Sequence, residues 1–147
     1  MKIVSACLVG VNCRYDGKNS LNSKVFKMFK RGELIPLCPE QLGGLPTPRE
    51  ISEIVGGEGI DVIKRKAKVV TNSGKDVTEN FIRGAEETLM VAKSLGIKEA
   101  ILKSKSPSCG CGRIYDGTFS GKLKEGDGVT ATILKRNRVK LTTEKDI

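Results

Sequence analysis

The 147-residue chain has no histidine, no tryptophan, only two tyrosines and four phenylalanines, and no apolar run long enough to span a membrane. Each shortage narrows the function. Without histidine there is no imidazole base and none of the usual nitrogen ligand of catalytic zinc and copper sites. Chemistry must then use Cys, Ser, Asp, Glu, Lys, Tyr or a cofactor. So few aromatics leave little to stack a string of bases, which disfavours a dedicated single-strand nucleic-acid binder. The opening MKIVSACLVG carries too short an apolar run for an export signal, so a cytoplasmic protein is expected.

The sequence also lacks any CxxC knuckle, the usual mark of a structural zinc site. It does contain five cysteines: Cys7, Cys13, Cys38, Cys109 and Cys111. In a reducing compartment these are not structural disulfides, which leaves metal binding or thiol chemistry. The net charge of +9 fits an anionic partner or, more simply, a lysine-rich solvated face.

The length suits one domain, residues 1–147, with a single core. Ile3 to Cys7 reads as a buried strand. Asn22 or Ser23 can cap a helix presenting Val25, Phe26 and Phe29 on one face, with Gly32 as its stop. ELIPLCPE is a second strand weakened by Pro36. Residues 41–58, rich in proline and glycine, read as a long loop. DVIKRKAKVV and TNSGKD suggest a small strand excursion. Asp76 and Glu79 resemble a capping box for a helix carrying Phe81, Ala85, Leu89 and Ala92 and ending at Gly96. EAILKS is a third core strand, Asp127 can cap a last helix through Val129, Ile133 and Leu134, and Val139 to Leu141 closes the series. This alternation predicts an α/β fold, a Rossmann-like and mostly parallel sheet flanked by helices.

Cys7 and Cys38 then fall at strand ends, and Cys109 lies in the loop leaving the third strand, 31 and 71 positions apart. In an open parallel sheet such loops converge at the carboxyl ends of the strands, where ligands bind. Cys13 and Cys111 stand close by as extra ligands or bystanders. An iron–sulfur cluster suits thiolates from three distant loops and needs no nitrogen ligand. Three protein thiolates on a four-iron cluster leave one iron open as a Lewis acid. Glu40 lies two residues beyond Cys38, and Ser106 and Ser108 precede Cys109, so proton-handling groups adjoin the thiols. Asp16, Asp116 and Arg49 are adequately explained by turns and salt bridging. An echo of YDG at Tyr15 to Gly17 and Tyr115 to Gly117 suggests that both loops flank one site.

Three stretches carry a resemblance: SACLVGVNCRYDG at 5–17, CPEQLGGLPTPRE at 38–50 and KSPSCGCGRIYDGTFSG at 105–121. In order and spacing they resemble the thiouracil desulfidase family, in its short stand-alone form. The resemblance implies a [4Fe-4S] cluster held by Cys7, Cys38 and Cys109, whose free iron accepts the sulfur of a thiolated uracil. It implies Glu40 and Ser106 as the proton-handling pair, with Ser108 the alternative serine. The reaction implied is hydrolytic and non-redox, 2-thiouracil giving uracil and sulfide. The partner is then a small thiolated pyrimidine, with a thiolated base in tRNA a less favoured substrate. The alternative is a non-enzymatic zinc or iron–sulfur module, or a sulfur carrier linked to tRNA thiolation.

Overall fold

Ile3, Val4 and Ser5 are buried in strand β1 (Lys2–Ser5) of a four-stranded sheet, as seen in a computed structural model that describes residues 1–147. The partners of β1 are β2 (Leu34–Leu37) on one side and β5 (Glu99–Leu102) on the other, and β8 (Lys140–Thr143) completes the order β2-β1-β5-β8. All three pairings are parallel, as the alternating pattern predicts. Pro36 is tolerated because β2 is an edge strand, hydrogen-bonded on one side only.

Side chains alternate across this sheet. Ile3, Ala100 and Leu102 pack with Ala92, Ala131 and Leu134 of helices α4 (Thr78–Ser94) and α5 (Val129–Arg136). Val4 and Ile101 face the other way, onto Val25 of α1 (Ser23–Lys30). Asn22 caps α1, its Oδ1 accepting from the Lys24 and Val25 N–H groups at 3.0 and 3.1 Å.

The segment between β2 and α4 is more ordered than its proline and glycine content suggests. It holds the short helix α2 (Pro39–Leu42), an antiparallel hairpin of β3 (Ser52–Val55) and β4 (Lys68–Thr71), and α3 (Gly59–Ile63) between those strands. A second hairpin, β6 (Arg113–Tyr115) with β7 (Leu123–Glu125), follows β5 and has no counterpart in the sequence reading. A further core, centred on Ile54, Val69, Phe81, Ile114 and Val129, joins both hairpins to α4 and α5. No helix is long and apolar enough to cross a membrane.

Two helix starts differ from expectation. Asp76 Oδ1 does accept from the Thr78 N–H at 2.9 Å, but Glu79 pairs with Arg65 rather than reaching back, so no capping box forms. Gly128, not Asp127, is the N-cap of α5, because Asp127 accepts from the Gly112 N–H and the Lys135 ammonium instead.

A thiol-lined candidate active site

The carboxyl ends of β1, β2 and β5 open onto one cavity of about 130 Å³. Cys7 reaches it from a single 3-10 turn, Ala6–Val9, rather than from the end of β1 itself. Cys38 reaches it from the N-cap of α2, and Cys109 from the loop after β5. Cys13 is a fourth thiol on the same wall and is only 2% exposed. Cys111 does not line the cavity; its charged neighbours are Lys135, Asp127 and Asp146.

Three of the cavity thiols, Cys13, Cys38 and Cys109, have their titration shifted upward. Burial pushes the Cys109 thiol up to about 12, although a hydrogen bond with Ser5 pulls the other way. The bond with Cys38 lowers the Cys13 thiol, but the bond with Cys7 and burial outweigh it, and the group ends up at about 11. Cys38 is raised by the Cys13 thiol and by burial, and lies 3.8 Å from the Cys13 carbonyl oxygen. A cation bound here would displace protons from sulfur. No three Cys, Asp or Glu side chains gather tightly enough to hold a single metal ion. A cavity walled by thiols on separate elements, with no nitrogen ligand, fits a broader sulfur-bound group such as an iron–sulfur cluster.

Glu40 projects from the first turn of α2. Arg49 grips its Oε2, with Nε and Nη2 each 3.0 Å away, and no protein group bonds to Oε1. Burial raises the Glu40 carboxyl above its ordinary value, and the Arg49 charge only partly offsets this. The placement of α2 depends on two glycines. A Cβ on Gly84 of α4 would collide with the Pro39 carbonyl, and one on Gly43 with the Asn80 carbonyl, so the two backbones touch.

Ser106 lines the cavity, and its Oγ accepts from the N–H groups of Ser108 and Cys109 at 3.1 and 2.7 Å. Those bonds shape the turn and leave the hydroxyl proton free. Ser108 is 1% exposed, hydrogen-bonded to Thr130 at 2.9 Å and absent from the cavity wall, so of the two serines only Ser106 faces the site.

The repeated YDG has a double explanation. Asp16 and Asp116 each accept from the N–H two residues on, at 3.0 and 2.9 Å, as local turns require. Tyr15 and Tyr115 both line the cavity, as the parallel placement suggested. Sequence reasoning missed Ser5, Lys103 and Ser104, which also line it. Ser104 Oγ donates to Glu144 Oε1 at 2.5 Å, and the Lys103 ammonium lies 3.3 Å from the same oxygen. Burial raises the Glu144 carboxyl, but the Ser104 bonds and the Lys103 charge outweigh it and hold the group below its ordinary value. Glu144 lies 40 positions from Ser104, and nothing in the sequence signals that pairing.

Fold and site together define a single α/β domain with a cysteine-walled cavity at the carboxyl edge of a parallel sheet. The family model for 2-thiouracil desulfurase matches residues 3–146, and the chain belongs to that family. It is similar to the solved structure of the [4Fe-4S]-dependent thiouracil desulfidase TudS, with 41% identity and a TM-score of 0.87 over 99% of this chain and 91% of that one. It is also 48% identical to the uncharacterized protein YbbK of Bacillus subtilis strain 168, across the whole chain and 97% of that protein.

Proposed function

We propose that this protein is a [4Fe-4S]-dependent desulfidase that converts 2-thiouracil, or a closely related thiolated pyrimidine, into the oxygen analogue and sulfide. Cys7, Cys38 and Cys109 would hold the cluster. The observation that carries this is one cavity lined by those three thiols, the Glu40 carboxylate and the Ser106 hydroxyl. The name of the 41%-identical structure supplies the cofactor and the substrate class. When bound, such a cluster supplies a Lewis-acidic iron that polarises the thiocarbonyl sulfur.

The protein groups handle the rest. Arg49 fixes Glu40 through Oε2, so the unpartnered Oε1 is the atom that takes a proton from water as it adds to the thiocarbonyl carbon. Ser106 gives or relays a proton to the ring. Negative charge developing on its Oγ is met by the two N–H groups already aimed at it. The oxygen of water ends in the new carbonyl, sulfur leaves as sulfide, and no electrons change hands. All five cysteines are free, which suits a reducing cytoplasmic setting.

The test is anaerobic purification followed by iron and sulfide analysis, a visible spectrum and incubation with 2-thiouracil. Stoichiometric iron and sulfide, with uracil and free sulfide produced without added reductant, are expected. A colourless, zinc-loaded protein after anaerobic reconstitution would sink the proposal.

A further inference from the structure

Both tyrosines of the chain, Tyr15 and Tyr115, line the thiol-walled cavity, although distant segments carry them. Phe26, Phe29 and Phe81 instead pack into the hydrophobic cores, to which neither tyrosine belongs. Tyr15 is 37% exposed, so core packing does not account for its position.

Each tyrosine is mounted on a segment tied to one of the two proton-handling groups. The Tyr15 carbonyl accepts from the Arg49 N–H at 2.8 Å, and the Arg49 side chain grips Glu40. The Arg14 guanidinium carbon lies 5.6 Å from the centroid of the Tyr15 ring, a cation–π contact that steadies the ring at the cavity wall. Tyr115 ends β6, and its neighbour Ile114 forms a bridge with Lys105, beside Ser106. The turn after Tyr115 is anchored to β3. There the buried Glu53 accepts through Oε1 from the Gly117 and Phe119 N–H groups at 2.9 and 3.2 Å. A Cβ on Gly117 would collide with the Ile54 carbonyl, so the turn lies directly against that strand.

We propose that Tyr15 and Tyr115 form the subsite for the substrate's ring and restrict the enzyme to planar, aromatic thiolated heterocycles. The assignment deepens the desulfidase function proposed for this cavity and rests on it. Glu40 and Ser106 act on the thiocarbonyl edge of a substrate, whereas its π faces are bound by aromatic side chains. A saturated ring keeps the same polar atoms but loses that contact. Because Tyr15 is tied to the Glu40 arm and Tyr115 to the Ser106 arm, a ring held by both tyrosines is presented to both groups.

The experiment compares anaerobically reconstituted wild type with Tyr15→Phe, Tyr15→Leu, Tyr115→Phe and Tyr115→Leu. The readouts are iron content, KM and kcat for 2-thiouracil, and calorimetric binding of uracil and of 5,6-dihydrouracil, whose ring is saturated and puckered. Wild type is expected to bind uracil several-fold more tightly than 5,6-dihydrouracil. Each leucine variant should keep its iron, lose uracil affinity by roughly 5- to 50-fold, the size of one lost base–aromatic contact, and raise KM in step. Its preference between the two rings should shrink towards one, which a general loosening of the fold would not produce. The phenylalanine variants retain the aromatic ring and should retain the preference. The two tyrosines sit on separate loops, so either pair of variants carries the test if the other fails to fold. Equal binding of the two rings by wild type, or a preference that survives both leucine substitutions while 2-thiouracil is still turned over, overturns the role of the tyrosines alone. If wild type with a full complement of iron leaves 2-thiouracil intact, the desulfidase function falls, and the ring subsite with it.

Discussion

Arg49 binds the Glu40 carboxylate with Nε and Nη2, and its Nη2 also donates to the Cys13 carbonyl at 2.8 Å. One guanidinium therefore fixes the proposed base relative to the thiol wall. The Arg49 side chain is only 7% exposed and the Glu40 side chain 19%, so the pair works in a largely water-excluded setting.

Arg49→Gln should raise the Glu40 carboxyl further, because the charge that partly offsets burial is lost. A base acts only above its pKa, so the acid limb of kcat should move to higher pH, with the largest loss at the acidic end. Stability should fall by roughly 1–3 kcal/mol, the cost of leaving buried hydrogen-bonding groups unmet. A pH–rate profile and a denaturant melt check the two effects. The sign for stability in the wild type follows from the same shift. With its folded-state value raised, Glu40 binds its proton more tightly in the native state, so its contribution is fully present below the ordinary carboxylate value and is lost as pH rises towards the folded one. Glu40→Gln should remove that dependence.

Glu40→Gln keeps the shape and removes the base. Turnover should fall by about 10²–10⁴-fold with iron content unchanged, as for loss of a positioned proton acceptor. Full turnover in this variant would remove Glu40 from the mechanism.

Cysteine substitutions should divide by position. Cys7→Ser, Cys38→Ser and Cys109→Ser should each lose most bound iron. Cys111→Ser should retain both iron and activity, since Cys111 is off the cavity wall beside Lys135 and Asp127. Iron analysis after anaerobic reconstitution separates the two groups.

Gly84→Ala forces a methyl against the Pro39 carbonyl. The expected cost is about 1–3 kcal/mol, as for other insertions into packed sites. Displacement of α2 should also lower activity by shifting Glu40 and Cys38 together. Thermal melts and a kcat measurement on the folded variant report each effect.

Much of this was legible in the sequence because the signals were local. The apolar runs IVS and AIL gave core strands, Asn22 gave the start of α1, and alternation of strands and helices gave the parallel sheet. The convergence of Cys7, Cys38 and Cys109 followed from that topology, since a parallel sheet gathers its carboxyl-end loops at one edge. The short hairpins were not legible. β6 and β7 have three residues each, too few for a periodic pattern, and they are held by packing of Ile114 into a core drawn from distant segments.

By itself, then, the sequence determined the order of the core strands and of the three longer helices, the thiol set and the absence of any histidine ligand, because composition and short-range pattern act within a few residues. Only the tertiary structure decided which neighbours share the cavity. Ser106 faces it while Ser108 turns to Thr130, and Cys13 joins the thiol wall while Cys111 turns to Lys135. Adjacent residues in a tight loop point in different directions, and the burial and hydrogen-bond partners that choose among them come from elements tens of residues away.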